Sequence, residues 1–235
     1  MKVERSLSLI FGLALVAIGI FSLLGSTLLT TQAWRMWPLT VVILGIALCI
    51  PGFFGLQRRG LGSFFIPGVP VLTTGGILLF ASLFSRWDVW SLAWPLEVMG
   101  VALGFALAAI FMRVAGLAIP AVLIGLNGLL LAFCNLTGLW EAWAILWPIE
   151  PLSIGLGLLI LGVVNRSTGT KLAGMILTGI AGAGFFIASL ISVLNGTFLR
   201  FAAPGLLVLC GLILISAQWL KRVDAPSEEL AEPVG

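Results

Sequence analysis

Long apolar runs, separated by short segments that carry the charged residues, make up most of the chain. Several runs reach the roughly 20 residues that a helix needs to cross a hydrocarbon core about 30 Å thick. Arg113 alone interrupts an apolar stretch of about 40 residues, which is too long to cross once, so a turn is expected there. The pattern therefore predicts an all-α fold, a polytopic bundle of about eight transmembrane helices. The predicted spans are 6–24, 38–54, 64–84, 95–111, 116–134, 148–164, 171–194 and 200–220.

A Trp-Pro dipeptide marks an internal repeat. It occurs as Trp37-Pro38, Trp94-Pro95 and Trp147-Pro148, with a degraded fourth copy at Ala203-Pro204. Proline suits the first turn of a helix, because its missing N–H has no intrahelical partner at that position. Each unit is thus helix, connector, Trp-Pro and helix, which predicts four repeated helical hairpins. Their bounds are 1–57, 58–113, 114–166 and 167–222, and the acidic, proline-containing segment 223–235 is predicted to be a disordered cytoplasmic tail.

Glycines also recur with this repeat. Gly45, Gly155 and Gly211 each stand eight residues after the Trp position, whereas the second copy has Gly100 and Gly104 instead. Glycine lets helix backbones approach closely inside a membrane. We expect these positions to lie at helix contacts.

The charge distribution predicts the orientation. Nine Lys and Arg residues flank one side of the predicted spans and three flank the other: Lys2, Arg5, Arg58, Arg59, Arg113, Arg166, Lys171, Lys221 and Arg222, against Arg35, Arg86 and Arg200. Because basic residues accumulate on the cytoplasmic side, both termini are predicted to be cytoplasmic, in a bacterial inner membrane. The basic N-terminus leads into a run that resembles its later relatives, so we interpret it as a retained first helix and not a cleaved signal peptide.

Composition limits the chemistry that the chain can perform. Only 9% of its residues are charged, against about 25% in soluble domains, and the mean hydropathy is +1.21. The net charge of +3 is too small to indicate nucleic-acid binding. The sequence has no His or Tyr and no nucleophile beside a recognisable base, so we predict no catalytic residue, no metal site and no cofactor. Cys49, Cys134 and Cys210 stand apart in apolar runs and are interpreted as small hydrophobic residues.

Tryptophan is the most conspicuous feature of the predicted outer side. Eight of the nine fall there: Trp34, Trp37, Trp87, Trp90, Trp94, Trp140, Trp143 and Trp147. Their spacing in the second and third repeats places them on one face of short interfacial helices at 85–93 and 138–146. The favoured interpretation is an aromatic belt at headgroup depth. The alternative is an indole surface for a lipid, an apolar ligand or a partner helix.

Two acidic residues occupy equivalent repeat positions on the outer side. Glu97 and Glu150 each follow the proline by two residues, where a carboxylate complements the positive end of the helix dipole. The alternative is a possible outer-side acidic pair at the mouth of an ion or substrate path. Thr73, Thr74 and Asn127, inside predicted spans, are expected to form hydrogen bonds between helices.

The first repeat carries a family resemblance. Gly12, Gly19 and Gly25 in the first helix, followed by Trp34-Arg35-Met36-Trp37-Pro38 and a glycine-containing second helix, resemble the LiaI/LiaF-like transmembrane region of bacterial membrane proteins. The resemblance recurs in the other repeats. It implies strings of helical hairpins, in some members acting as accessory or inhibitory partners of envelope-stress two-component systems. Regulatory members carry a soluble β-rich domain after the membrane part, which this sequence does not have after Leu220.

The sequence therefore favours a non-enzymatic integral membrane protein, an accessory or scaffold subunit that acts through helix and aromatic contacts. Two alternatives stay open: a small-solute or ion transporter with a path between hairpins, and a lipid-binding membrane protein. The expected partners are membrane lipid and another membrane protein or a further copy of the chain, with no nucleic acid.

Overall fold

The computed structural model describes residues 11–20, 22–23, 33–195 and 199–223, and helices make up most of these ranges with no β-strand among them. The helices are α1 Phe11–Ile20, α2 Leu39–Phe53, α3 Phe65–Phe84, α4 Val89–Ala93, α5 Pro95–Met112, α6 Ala118–Thr137, α7 Trp143–Leu146, α8 Ile149–Val164, α9 Thr168–Asn195 and α10 Leu199–Val223. Short 3-10 segments lie at Ala33–Met36, Phe54–Leu56, Arg59–Phe64, Ala115–Leu117 and Trp140–Ala142.

The described helices confirm an all-α polytopic bundle. Six segments are long and apolar enough to cross a membrane: Trp34–Leu56, Arg59–Phe84, Pro95–Met112, Ala115–Thr137, Thr168–Ile191 and Phe201–Gln218. The pair Trp140–Leu146 and Ile149–Val164, bent by 58°, forms a seventh if it is one span. The predicted first span is described as the shorter α1, and its flanks at 6–10 and 24 lie outside the described residues. Most of the predicted tail, from residue 224 onwards, also lies outside them.

The chain divides into two compact units, Met1–Thr137 and Gly138–Gly235. In the first unit α3 packs between α2 and α5, and α6 packs on α5. Phe53, Phe65 and Phe111, one from each of α2, α3 and α5, bring their ring centroids within 5.0 to 5.6 Å of one another. This aromatic cluster fills the end of the unit that carries the arginine-containing turns, which we call the inner end.

Glycines let α2 and α3 cross with their backbones in contact. A Cβ placed on Gly45 would lie 2.7 Å from the Cα of Leu72, and one placed on Gly75 would lie 2.8 Å from the backbone nitrogen of Val42. Gly100 and Gly104 of α5 serve the same purpose on the other side of α3, because a Cβ on Gly104 would lie 2.7 Å from the carbonyl oxygen of Phe65. The predicted helix-contact role of these glycines is confirmed.

The second unit repeats the three-helix arrangement, with α9 packed between α8 and α10. A Cβ on Gly155 would lie 2.8 Å from Oγ1 of Thr178, and one on Gly174 would lie 2.8 Å from the carbonyl oxygen of Gly155. Gly155 thus plays the part in α8 that Gly45 plays in α2. Gly211 was expected to follow them, but a Cβ there would meet no atom within 4 Å, so the fourth copy does not use its glycine for a close crossing.

The most extensive helix packing joins helices across the short inner turns. These pairs are α2 with α3, α5 with α6 and α8 with α9. The turn residues Arg113 and Arg166 adopt positive φ angles of 55° and 52°, which close the turns after α5 and α8. The Trp-Pro helix of one repeat therefore packs against the first helix of the next. The four hairpin bounds themselves stay a prediction.

Candidate functional site

The outer tryptophans lie in three connectors opposite the inner turns. These connectors are the 3-10 segment Ala33–Met36, the segment 85–94 that contains α4, and Trp140–Ala142 with α7. Five indole side chains are 38% to 66% exposed: Trp34, Trp87, Trp140, Trp143 and Trp147. Trp37, Trp90 and Trp94 are half-buried. Each compact unit therefore presents exposed indoles at its outer end.

Hydrogen bonds join two of these connectors to the first helix of the following repeat. Buried Ser82 of α3 donates its hydroxyl to the carbonyl oxygen of Arg35 at 2.7 Å. Asn135 of α6 donates its amide nitrogen to the carbonyl oxygens of Ser91 at 2.9 Å and Leu92 at 3.1 Å. Arg35 and Leu92 stand 57 residues apart, as Trp37 and Trp94 do. The two bonds are thus one repeated structural feature.

Asn135 also orients a tryptophan. Its Oδ1 accepts a hydrogen bond from Nε1 of Trp94 at 3.2 Å. A half-buried indole needs a partner for its N–H, and the asparagine supplies one while its own amide protons go to the connector backbone. The side chain therefore fixes both the path of the connector and the position of the indole that ends it.

An exposed ion pair opens the second connector. Nε and Nη2 of Arg86 donate to the carboxylate of Asp88, the shortest distance being 2.9 Å. The hydrogen bond from Arg86, assisted by its charge, holds the pKa of Asp88 below its ordinary value. The same contact raises the pKa of Arg86. Because both groups are fully solvated, the pair sets local geometry and adds little to stability.

Glu97 lies between α5 and α3, and does not merely cap its own helix. Its Oε2 lies 2.9 Å from Oγ1 of Thr74, and this hydroxyl also lies 2.9 Å from the carbonyl oxygen of Pro70. Oε1 is buried and has no hydrogen-bond partner in the described part of the chain. The expectation that Thr74 forms a hydrogen bond between helices is confirmed, whereas Thr73 donates to Val69 of its own helix.

This geometry suits a carboxyl group that can hold a proton. The single Thr74 proton can serve Glu97 or Pro70, but not both. If Glu97 is protonated, it donates to Thr74, which then donates to Pro70, and each donor has an acceptor. If Glu97 is ionised, it takes the Thr74 proton and its buried Oε1 stays without a donor, which costs free energy.

Glu150 is the repeat equivalent of Glu97 and lies in the first turn of α8 in the second unit. Its carboxyl-bearing side chain is half-buried, and its carbonyl oxygen accepts the hydroxyl of fully buried Ser153 at 2.7 Å. Glu97 and Glu150 belong to different compact units. The idea that they face each other as an acidic pair stays a prediction.

Sequence reasoning found the tryptophans and the acids but missed Ser82 and Asn135. Neither residue carries chemistry that a motif search would recognise. The available signal was their spacing of 53 residues, which equals that from Trp94 to Trp147. The partners are backbone carbonyls more than 40 residues away in the chain, so the bonds follow only once the helix pairing is known.

Comparison with known proteins returns no relative. No protein-family model matches the chain, and no curated protein and no solved structure matches it.

Proposed function

We propose that this chain is a non-enzymatic accessory or scaffold subunit of the bacterial inner membrane, which binds a membrane-protein partner through its outer indoles. The observation that carries the proposal is the set of exposed tryptophans on three connectors, two of which are hydrogen-bonded to the helices behind them. The resemblance to the LiaI/LiaF-like region supports the same role, with envelope stress as its setting.

Fixed connectors make the indoles suitable for binding. Trp side chains bury a large area and lose little conformational entropy, so they often dominate the binding energy of protein interfaces. A belt that only sets membrane depth needs no defined connector backbone, because headgroup water and lipid satisfy the indole N–H. The hydrogen bonds from Ser82 and Asn135 are better explained if the connectors form a binding surface that must keep a fixed shape.

The test is to extract the tagged chain from its native membrane in lipid nanodiscs and to identify co-purifying proteins by mass spectrometry. We expect a stoichiometric membrane-protein partner. Replacing exposed indoles, in Trp87→Ala and Trp140→Ala, should lower its recovery about tenfold or more, as loss of an interface hot spot does. The control is Phe186→Ala, which removes an exposed aromatic ring that belongs to α9 and to none of the three connectors.

Recovery of lipid alone, or an equal loss of partner in the Phe186→Ala control, would contradict the proposal. Equal loss in the control would mean that recovery of the partner depends on how the whole chain sits in the bilayer and not on the exposed indoles.

A second candidate, ion or small-solute transport, is favoured by Glu97. The buried Oε1 of Glu97 has no donor among the described residues, and Oε2 lies beside a hydroxyl that is shared between two acceptors. A proton can be exchanged from such a group during transport. In proteoliposomes, Glu97→Gln and Thr74→Val should slow any proton-coupled flux at least tenfold, while exposed Glu141→Gln should leave it unchanged. Flux no faster than in empty liposomes across a panel of ions and solutes removes this candidate.

A further inference from the structure

The Trp-Pro helices α2 and α8 use one face to receive the helix that follows the next inner turn. This face consists of the residues five, eight, twelve and fifteen positions after the Trp, and we call it the docking face. It comprises Val42, Gly45, Cys49 and Gly52 in α2, and Leu152, Gly155, Leu159 and Gly162 in α8. Val42 is half-buried and the other seven residues are buried.

The contact of α2 with α3 shows what the docking face binds. A Cβ placed on Gly75 of α3 would lie 2.8 Å from the backbone nitrogen of Val42. One placed on Gly68 would lie 2.8 Å from Sγ of Cys49. Gly68 and Gly75 stand seven residues apart, as Val42 and Cys49 do, so two glycines of α3 meet two successive positions of the face.

The same relation recurs at the other inner turns. A Cβ on Gly128 of α6 would lie 2.9 Å from Cγ of Met99, which is five residues after Trp94. A Cβ on Gly174 of α9 would lie 2.8 Å from Cγ of Leu159. The docking face therefore receives glycines of the first helix of the next repeat at all three described inner turns.

The fourth docking face, on α10, is uncovered. Counted from Ala203, it comprises Val208, Gly211, Ile215 and Gln218. Val208 is 62% and Ile215 is 68% exposed, and a Cβ on Gly211 would meet no atom of the described residues within 4 Å. α10 packs on α9 through another side, where a Cβ on Gly182 would lie 3.6 Å from Cβ of Cys210.

α1 carries the complementary glycines, which are also uncovered. Gly12 and Gly19 stand 56 residues before Gly68 and Gly75 and keep their spacing of seven. A Cβ on either glycine of α1 would meet no atom of the described residues within 4 Å. A different side of α1 faces α2, because Ala14 lines a narrow gap together with residues of that helix.

We propose that α1 of a second copy of this chain docks on α10 and forms the contact that joins α3 to α2. This register places Gly19 at Val208. It places Gly12 at Ile215. The two helices are predicted to cross the membrane in opposite directions, as α2 and α3 are, and small residues let them approach closely in lipid.

The proposed contact is head-to-tail. Each copy offers both an uncovered docking face and the glycines that fit one, so the contact repeats from copy to copy and forms a ring or a row. It uses neither the outer indoles nor Glu97. Its failure would therefore leave the partner and the transport candidate proposed above untouched, and theirs would leave it untouched.

The experiment is disulfide cross-linking between two differently tagged copies of the full chain in one membrane. The native cysteines are first replaced, in Cys49→Ala, Cys134→Ala and Cys210→Ala. One copy then carries Gly19→Cys and the other carries Val208→Cys, so that a mixed disulfide always joins two chains. We expect oxidation with copper phenanthroline to give the mixed dimer. The pair Gly12→Cys with Ile215→Cys should give it as well.

Crossed pairs test the register. These are Gly19→Cys with Ile215→Cys, and Gly12→Cys with Val208→Cys. Seven helical residues span roughly 10 Å, and a disulfide cannot join Cα atoms more than about 7 Å apart. The crossed pairs should therefore give no mixed dimer.

A bulky side chain tests the docking face directly. Gly211→Leu meets no atom of its own chain among the described residues, so the variant should fold, but its side chain fills the space that α1 of the second copy would enter. We expect it to lower the yield of the Gly19→Cys with Val208→Cys dimer about tenfold, as overpacking of a close contact does. The matched control is Gly76→Leu, at an exposed α3 position that also meets no atom within 4 Å, which should leave the yield unchanged.

Five outcomes would overturn the proposal. The first is no mixed dimer from either matched pair. Equal yields from matched and crossed pairs would mean random collision, and equal loss by Gly211→Leu and Gly76→Leu would mean that the docking face is not involved. Dimers of the Gly19→Cys copy alone, at the yield of the mixed dimer, would mean that α1 pairs with α1. A disulfide within one chain that carries both Gly19→Cys and Val208→Cys would mean that the face binds its own α1.

Discussion

At the scale of single residues, two short polar side chains organise the outer surface. Ser82 and Asn135 each reach a backbone carbonyl of a connector, and they do so from equivalent positions in successive repeats. Water can satisfy a carbonyl at the membrane interface, so a donor from the neighbouring helix has a further effect, which is to hold the connector in one position. The residue type differs between the two repeats, but each side chain binds the carbonyl at the equivalent connector position, Arg35 in one and Leu92 in the other.

The contribution of this bond can be measured. Ser82→Ala should destabilise the chain by about 1 kcal/mol, since the Arg35 carbonyl loses its donor from α3. The matched control is Ser189→Ala, whose hydroxyl donates to the Phe185 carbonyl of its own helix at 2.7 Å, so its loss should cost much less. The measurement is an SDS unfolding titration followed by tryptophan fluorescence. Equal costs in the two variants would contradict a special role for the connector bond.

The roles of some candidate-site residues could be predicted from the sequence, and those of others could not. Tryptophans and glutamates stand out in an apolar chain, because each indole or carboxylate is costly in hydrocarbon and must lie near an edge. The contact of Glu97 with Thr74 could not be derived, because it depends on how α5 rotates against α3. That rotation is set by Gly100 and Gly104, whose contacts are with the backbone and side chains of α3.

At the scale of helices, glycine placement decides which helices pair. Hydropathy predicted the bounds of α2, α3, α5, α6, α8, α9 and α10 to within three residues, because length and apolar character follow directly from the bilayer's thickness. The first predicted span, 6–24, lies partly outside the described residues. Hydropathy says nothing about partners, since every helix face is apolar. Gly45 lets α2 pack closely on α3, and Gly155 lets α8 pack closely on α9, in both cases across an inner turn.

A pair of glycine substitutions tests this explanation. Gly45→Ala places a methyl 2.7 Å from the backbone of Leu72, so α2 and α3 must separate, at a cost of about 1–3 kcal/mol. Gly76→Ala on α3 meets no atom within 4 Å and should stabilise the helix by about 0.5–1 kcal/mol. We expect the two substitutions to change the free energy of unfolding, measured in the SDS titration, in opposite directions. Equal destabilisation by both substitutions would mean that the helices need the backbone flexibility of glycine and not the close approach that its missing side chain allows.

At the scale of the whole molecule, the connectors and the turns give each compact unit two ends with different chemistry. Indoles and Glu97 lie at the outer ends of the units, and Arg59, Arg113 and Arg166 lie in the inner turns. The excess of basic residues predicts that the inner end faces the cytoplasm.

Cysteine labelling in intact cells tests this orientation. Ser91→Cys lies exposed in the second connector and should react with a membrane-impermeant maleimide added outside. Thr168→Cys, exposed at the start of α9, should react only after the membrane is permeabilised. The native Cys49, Cys134 and Cys210 are buried, so the background should be low. The reverse labelling pattern would place both termini outside.

The bonds that join the first and second connectors to the next repeat also set an order of assembly. The Ser82 hydroxyl is 47 residues downstream of the carbonyl it binds, and Asn135 is 41 residues downstream of Trp94. At about 5–20 residues per second, a ribosome needs roughly 2–9 s to supply the missing side chain. During that interval a newly inserted connector has its tryptophans in the interface but no donor from the helix still being made. Maturation of these two connectors is therefore directional, since each is completed by the synthesis of the helix that follows it.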